Sequence, residues 1–153
     1  MKIEETFSLL DIKLSKAPKP VGSYVAYKII GKSVYISGQI SIKPDGNIIK
    51  GKVGKDLTLE QGQNAAYYCC LNILSQLKSA CNNDLNRVKN CIKLTGFVNS
   101  TNDFTDQAKV INPASELLVK LFKEKGMHAR AAVSVNSLPL GATVEIESIF
   151  EVN

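Results

Sequence analysis

Residues 59–80 place Ala65, Ala66, Cys69, Cys70, Ile73, Leu74 and Leu77 at the three-and-four spacing of one helix face. Thr58 and Gln61 stand ahead of it at the spacing of a capping box, and Asn82-Asn83-Asp84 closes it. A second stripe of Ala114, Leu117, Leu118, Leu121 and Phe122 predicts a helix over 107–125, started or kinked by Pro113. Gly126 follows it in the position of a C′ residue. Ile3, Phe7 and Leu10 predict a short helix over 3–12. Residues 16–22, with Pro18 and Pro20, run extended and tether that helix to the rest.

Alternating and β-branched runs predict strands over 23–30 and 33–40, joined by a tight turn at Gly31-Lys32. Gly38 inside the second run marks a bulge, a close backbone approach, or a simple twist point. Residues 43–56 form a loop that lacks the glycine spacing of a phosphate-binding turn. Residues 88–98 predict a further strand. The runs 130–136 and 143–147, with Pro139 and Gly141 between them, predict a β-hairpin.

In that hairpin Val135 faces Val144 and Val133 faces Ile146. Arg130, Glu145 and Glu147 then share the less apolar face. Glu147 lies about 7 Å along from Arg130 and Glu145 about 14 Å, at the usual rise of a strand. The nearer spacing suits an ion pair and the farther one a small anionic ligand. The pattern alone leaves both open.

The element order is β-β-α-β-α-β-β behind an N-terminal helical extension over 1–16. It predicts an α+β, two-layer sandwich: a mixed sheet with helices on one face, in a single domain spanning 1–153.

Composition changes this picture little. Hydrophobic residues at 44% and charged residues at 22% suit a soluble globular chain. The net charge of +5 comes from scattered lysines, so a dedicated nucleic-acid binder is not indicated. Cys69, Cys70 and Cys81 fall in a helical pattern and read as buried thiols, as expected in a reducing, cytoplasmic compartment. No metal-ligand spacing occurs, and His128 reads as a packing or exposed residue at the start of a strand. Neither a signal peptide nor an apolar run of membrane-spanning length is visible.

Three stretches carry a resemblance. They are Pro20-Val-Gly-Ser-Tyr24, Tyr35-Ile-Ser-Gly-Gln39, and the span from Ala129-Arg-Ala-Ala-Val to Leu138-Pro-Leu-Gly-Ala-Thr-Val-Glu-Ile-Glu147. With the element order, they resemble the Rid family of reactive intermediate deaminases, also called YjgF or L-PSP endoribonuclease proteins, in a divergent branch. The likeness covers roughly 17–152.

The resemblance implies a chorismate-mutase-like fold and a homotrimer with small-molecule clefts between subunits. It implies hydrolysis of 2-imino acids, released by pyridoxal-phosphate enzymes, to 2-keto acids and ammonia, with no cofactor and no metal. Arg130 matches the carboxylate-binding arginine and Glu145 the water-orienting glutamate. Tyr24, Ser37, Gly38, Gln39 and Ala132 match substrate-binding positions, with Ala132 standing where many members have cysteine. A non-catalytic trimer that binds small carboxylates and an RNA-acting protein are the alternative readings.

Overall fold

The computed structural model describes residues 2–153. Three α-helices and five strands form in the expected order: α1 (Ile3–Leu9), β1 (Tyr27–Ile30), β2 (Ser33–Ile40), α2 (Leu59–Ala80), β3 (Val88–Asn99), α3 (Gln107–Phe122), β4 (Ala129–Val135) and β5 (Val144–Val152). The strands make one mixed sheet in the order β1-β2-β5-β3-β4. Only β3 and β4 run parallel.

The two long helices form as their stripes predict. Thr58 caps α2, its hydroxyl accepting from the Gln61 amide while Gln61 bonds back. Every residue named for the α2 stripe is fully buried, and the α3 stripe is buried too. They pack on Val34, Ile36, Leu94, Val98, Val144, Ile146 and Phe150, which share one sheet face.

Pro113 lies inside α3 and does not start it. Proline has no N–H, so the carbonyl of Lys109 loses its helical partner. Gln63 Nε2 of α2 donates to that carbonyl at 2.9 Å instead. Gly126 is not a left-handed C′ residue; Lys123 takes the positive φ, at 57°. Gly126 is required for close packing, since a Cβ there would lie 2.2 Å from the Leu118 carbonyl oxygen.

The first helix is shorter than the predicted 3–12 and ends at Leu9. Leu10 is 40% exposed, and Phe7, Ile12 and Leu14 pack on the core in its place. Ser75 and Gln76 of α2 donate to the carbonyls of Ser15 and Pro18 and hold the tether down. Regular pairing in β1 starts only at Tyr27. Before it, Ser37 binds the carbonyls of Val25 and Ala26 through its hydroxyl and amide.

The hairpin expected over 130–147 does not form. β3 lies between β4 and β5. The segment from β3 through α3 to β4 is a strand-helix-strand unit, whose helical crossover brings the two strands together in parallel. β5 then takes the other edge of β3. The connection over 136–143, with a 3-10 turn at Pro139–Gly141, crosses the end of β3. Its length suits that span of two strand spacings, about 10 Å, better than a tight turn. Among the described residues no helix is long and apolar enough to cross a membrane.

Candidate functional site

The register assigns each candidate residue to a sheet face. Arg130 and Ala132 on β4 align with Leu94 and Gly96 on β3, and through them with Ser148 and Ile146 on β5. Leu94 and Ile146 are core residues, so Arg130 and Ala132 face the helices. Glu145 and Glu147 align with Phe97 and Thr95, on the uncovered face. The arginine and both glutamates are therefore on opposite sides of the sheet. The ion pair expected of Glu147 and the substrate-width gap expected of Glu145 both rested on the hairpin, and neither exists within one chain.

Arg130 sits against α3. Its Nη1 donates to Asn112 Oδ1 at 2.9 Å and to Ser115 Oγ at 3.1 Å. Its Nη2 reaches the Ala108 carbonyl at 3.4 Å. His128 stands behind Ser115, with Nε2 2.8 Å from its Oγ and Nδ1 2.7 Å from the Gly126 carbonyl. Burial is the main cause that holds His128 below the ordinary imidazole pKa; the Arg130 charge adds to it, and the Gly126 bond opposes it. The histidine expected to be a packing or exposed residue is thus half-buried in a polar chain that leads to the arginine.

On the other face, β2 and β5 slip register between Ile36 and Gln39. Gly38 lies in this bulge, and the Glu145 carboxylate packs over it. A Cβ at Gly38 would come within 2.1 Å of Glu145 Oε1. Both structural readings of this glycine hold at once: it marks a bulge and a close approach. Burial raises the Glu145 pKa, and the Glu147 charge raises it further. Tyr24 is half exposed, and its hydroxyl accepts from the Val21 amide. Tyr24 and Gly38 line one depression with Pro18 and Pro20. A second depression of about 290 Å³ opens beside Tyr35, Ser37, Lys93, Thr95 and Glu147.

The bulge turns Gln39 away from this face. It aligns with Ile146, is 7% exposed, and bonds the Ser37 carbonyl and Gln76. Ser37, Gly38, Tyr24 and Glu145 are thus brought together, while Arg130 and Ala132 stand on the far side of the sheet. Asn112 and Ser115 were missed from sequence. Their signal was two polar residues at i, i+3 beside the apolar stripe of α3.

The described residues show ion pairs only between Lys43 and Asp45 and between Lys109 and Asp106. Arg130 therefore meets only neutral acceptors. The carboxylate of Glu145 has no cationic partner. All four cysteines are free and buried, and burial pushes Cys91 up to about 12.

Residues 7–151 match the family described as "YjgF/chorismate_mutase-like, putative endoribonuclease". Protein TCP17 of Trypanosoma cruzi is 41% identical, over 99% of this chain and 95% of its own. The human 2-iminobutanoate/2-iminopropanoate deaminase is 30% identical, over 90% of this chain and 86% of its own. A "putative endoribonuclease" of Shewanella oneidensis, 28% identical, superposes with a TM-score of 0.94, covering 99% of this chain and all of its own. A five-stranded mixed sheet in this order, helices on one face and a match over nearly the whole length identify the chain as a member of the YjgF/Rid family, with its chorismate-mutase-like α+β fold.

Proposed function

We propose that this chain hydrolyses small 2-imino acids to 2-keto acids and ammonia, as a homotrimer whose clefts join two subunits. The observation that carries the reading is the pair of uncompensated charges. A guanidinium surrounded by neutral acceptors keeps its charge for an anion. A carboxylate with a raised pKa is suited to take a proton from water.

The two lie on opposite sheet faces, and β4 is an edge strand. A second copy that lays its uncovered face near this edge would bring its own Glu145 to Arg130. Arg130 then grips the substrate carboxylate in two-point fashion. Glu145 of the neighbour orients a water toward the imine carbon and takes one of its protons. The water oxygen bonds to that carbon and the proton passes to the nitrogen, giving an amino-alcohol. Its hydroxyl then gives its proton through the same carboxylate to the nitrogen as the carbonyl forms, the carbon–nitrogen bond breaks, and ammonia leaves behind a 2-keto acid. Gly38 and Tyr24 shape the wall beside the reacting carbon, and Ser37 holds that wall through Val25. Gln39 contributes through its backbone, since its side chain points into the helix layer. Ala132 contributes through its backbone as well, and a thiol there is not required.

Relatives named for this deaminase activity support the reading at 30% identity. The test couples an amino-acid dehydratase to the protein and follows ammonia or trapped keto acid. Acceleration over the spontaneous rate is expected. Saturable binding of pyruvate without acceleration would leave the carboxylate-binding trimer in its place.

A further inference from the structure

The hydrogen bonds around Arg130 have a direction that can be read from one end. The Gly126 carbonyl only accepts, so Nδ1 of His128 carries the ring proton. Nε2 of the neutral ring is then an acceptor, and the Ser115 hydroxyl donates to it. With its proton committed, Ser115 Oγ offers only lone pairs to Nη1 of Arg130. The other Nη1 proton goes to Asn112 Oδ1. Burial disfavours a charged imidazole and keeps this order in place.

Nη1 is thereby saturated. A carboxylate cannot bridge Nη1 and Nη2 and is left with the edge formed by Nε and Nη2. Neither Nε–H nor the second Nη2 proton has a partner among the described residues. Asp106, the N-cap residue of α3, pairs with Lys109 and not with the arginine. An arginine whose role was only to staple β4 to α3 would gain from a carboxylate partner. Neutral amide and hydroxyl acceptors fix its orientation and leave its charge intact.

We infer that Asn112, Ser115 and His128 are positioning residues that lock Arg130 and present its Nε/Nη2 edge to the carboxylate of the substrate. The inference rests on the reading of Arg130 as the carboxylate clamp.

The chain has two arginines, Arg87 and Arg130, so guanidinium signals from nitrogen-labelled arginine are assigned with one Arg130→Lys sample. Separate Nη signals, reporting hindered rotation, are expected for Arg130 in the parent protein. Ser115→Ala and Asn112→Ala should merge them, and Ser115→Thr should keep them. Pyruvate should shift the Nε–H signal of Arg130. Its apparent Kd should rise about tenfold in Asn112→Ala, with KM for the imine rising more than kcat falls.

Asn112→Asp separates positioning from folding. It retains an acceptor and should preserve the melting temperature, yet it pairs with Arg130 and should abolish pyruvate binding. Merged Nη signals in the parent protein, with the pyruvate response intact, would overturn the lock alone. Separate signals with no pyruvate response in the parent would overturn the clamp, and with it the presentation that the lock serves. Unchanged pyruvate affinity in Asn112→Asp would overturn the lock's purpose.

Discussion

Arg130 and Glu145 face away from each other across a single sheet, the first against α3 and the second over the bulge at Gly38. Under the proposed function, no chain alone completes the site. Arg130→Ala should be inactive and Glu145→Gln nearly so, yet the two should regain activity when mixed and reassembled. Random mixing in a cyclic trimer restores roughly a quarter of the clefts. Activity is measured after denaturing and refolding the mixture, with light scattering to confirm the trimer mass. A monomer mass at micromolar concentration, or no recovery, would place the site elsewhere.

The two carboxylates of β5 should behave differently. Glu145→Gln removes the proton acceptor and should lower kcat on the order of a hundredfold, with little change in melting temperature. Glu147→Gln should retain most activity. It removes the charge that helps raise the Glu145 pKa, so the acidic limb of the pH–rate profile should move to lower pH. An unmoved limb would assign that limb to another group.

Gly38→Ala tests the close approach. Gly38 does not need a positive φ, so alanine suits the backbone. Its Cβ would push the Glu145 side chain aside from Cγ outward, without meeting backbone. Turnover should fall toward that of Glu145→Gln while the thermal midpoint changes little. Full activity in this variant would show that the position of the carboxylate over the bulge is immaterial.

Arg130→Ala should abolish imine hydrolysis and cost about 1–2 kcal/mol of stability, the worth of its partly exposed hydrogen bonds. Arg130→Lys should also fail, because a point charge cannot reproduce the planar grip. Millimolar pyruvate should raise the melting temperature of the parent protein and of neither variant. A shift that persists in Arg130→Ala would remove the arginine from the site.

His128 links stability to pH. Its folded pKa lies below 6.5, so as pH falls past that value the unfolded chain takes up the proton first. Its contribution is complete above about pH 6.5 and is lost as pH falls toward the folded value. Glu145, with a raised pKa, acts in the opposite sense: its contribution is present below its unfolded pKa and is lost as pH rises through the folded one. In a Glu145→Gln background, the drop in melting temperature from about pH 7 to about pH 5 should shrink on His128→Phe. An identical drop would mean that the ring is charged in the native state.

The helices and their cores were legible because the α2 and α3 stripes repeat for several turns, and burial there is all that the pattern has to encode. Strand neighbours were not. Apolar alternation in 130–136 and 143–147 says which side of each strand is inward, but not which strand lies next to it. The clue was chain order: a strand, a helix and a strand in β3-α3-β4 favour parallel pairing, and that leaves β5 on the opposite edge of β3. The error carried into the site, since Glu147 was set beside Arg130 on the strength of the false pairing. Alternation drew out Arg130 with both glutamates, and resemblance gave Arg130 and Glu145 their roles. Gln39 shows the limit of a short motif, because a bulge one residue earlier reverses the side on which it points.

Pro113 has a mechanical consequence. A continuous helix could slide along its neighbour with little change in its own hydrogen bonding. α3 differs, because Pro113 frees the Lys109 carbonyl and Gln63 of α2 binds it. The defect serves as a locating pin, indexing α3 against α2 at one position. Asn112 is adjacent to that pin and Ser115 lies two residues beyond it, so the acceptors that hold Arg130 inherit its alignment. Replacing the proline with alanine would give a better helix and a less accurately mounted one.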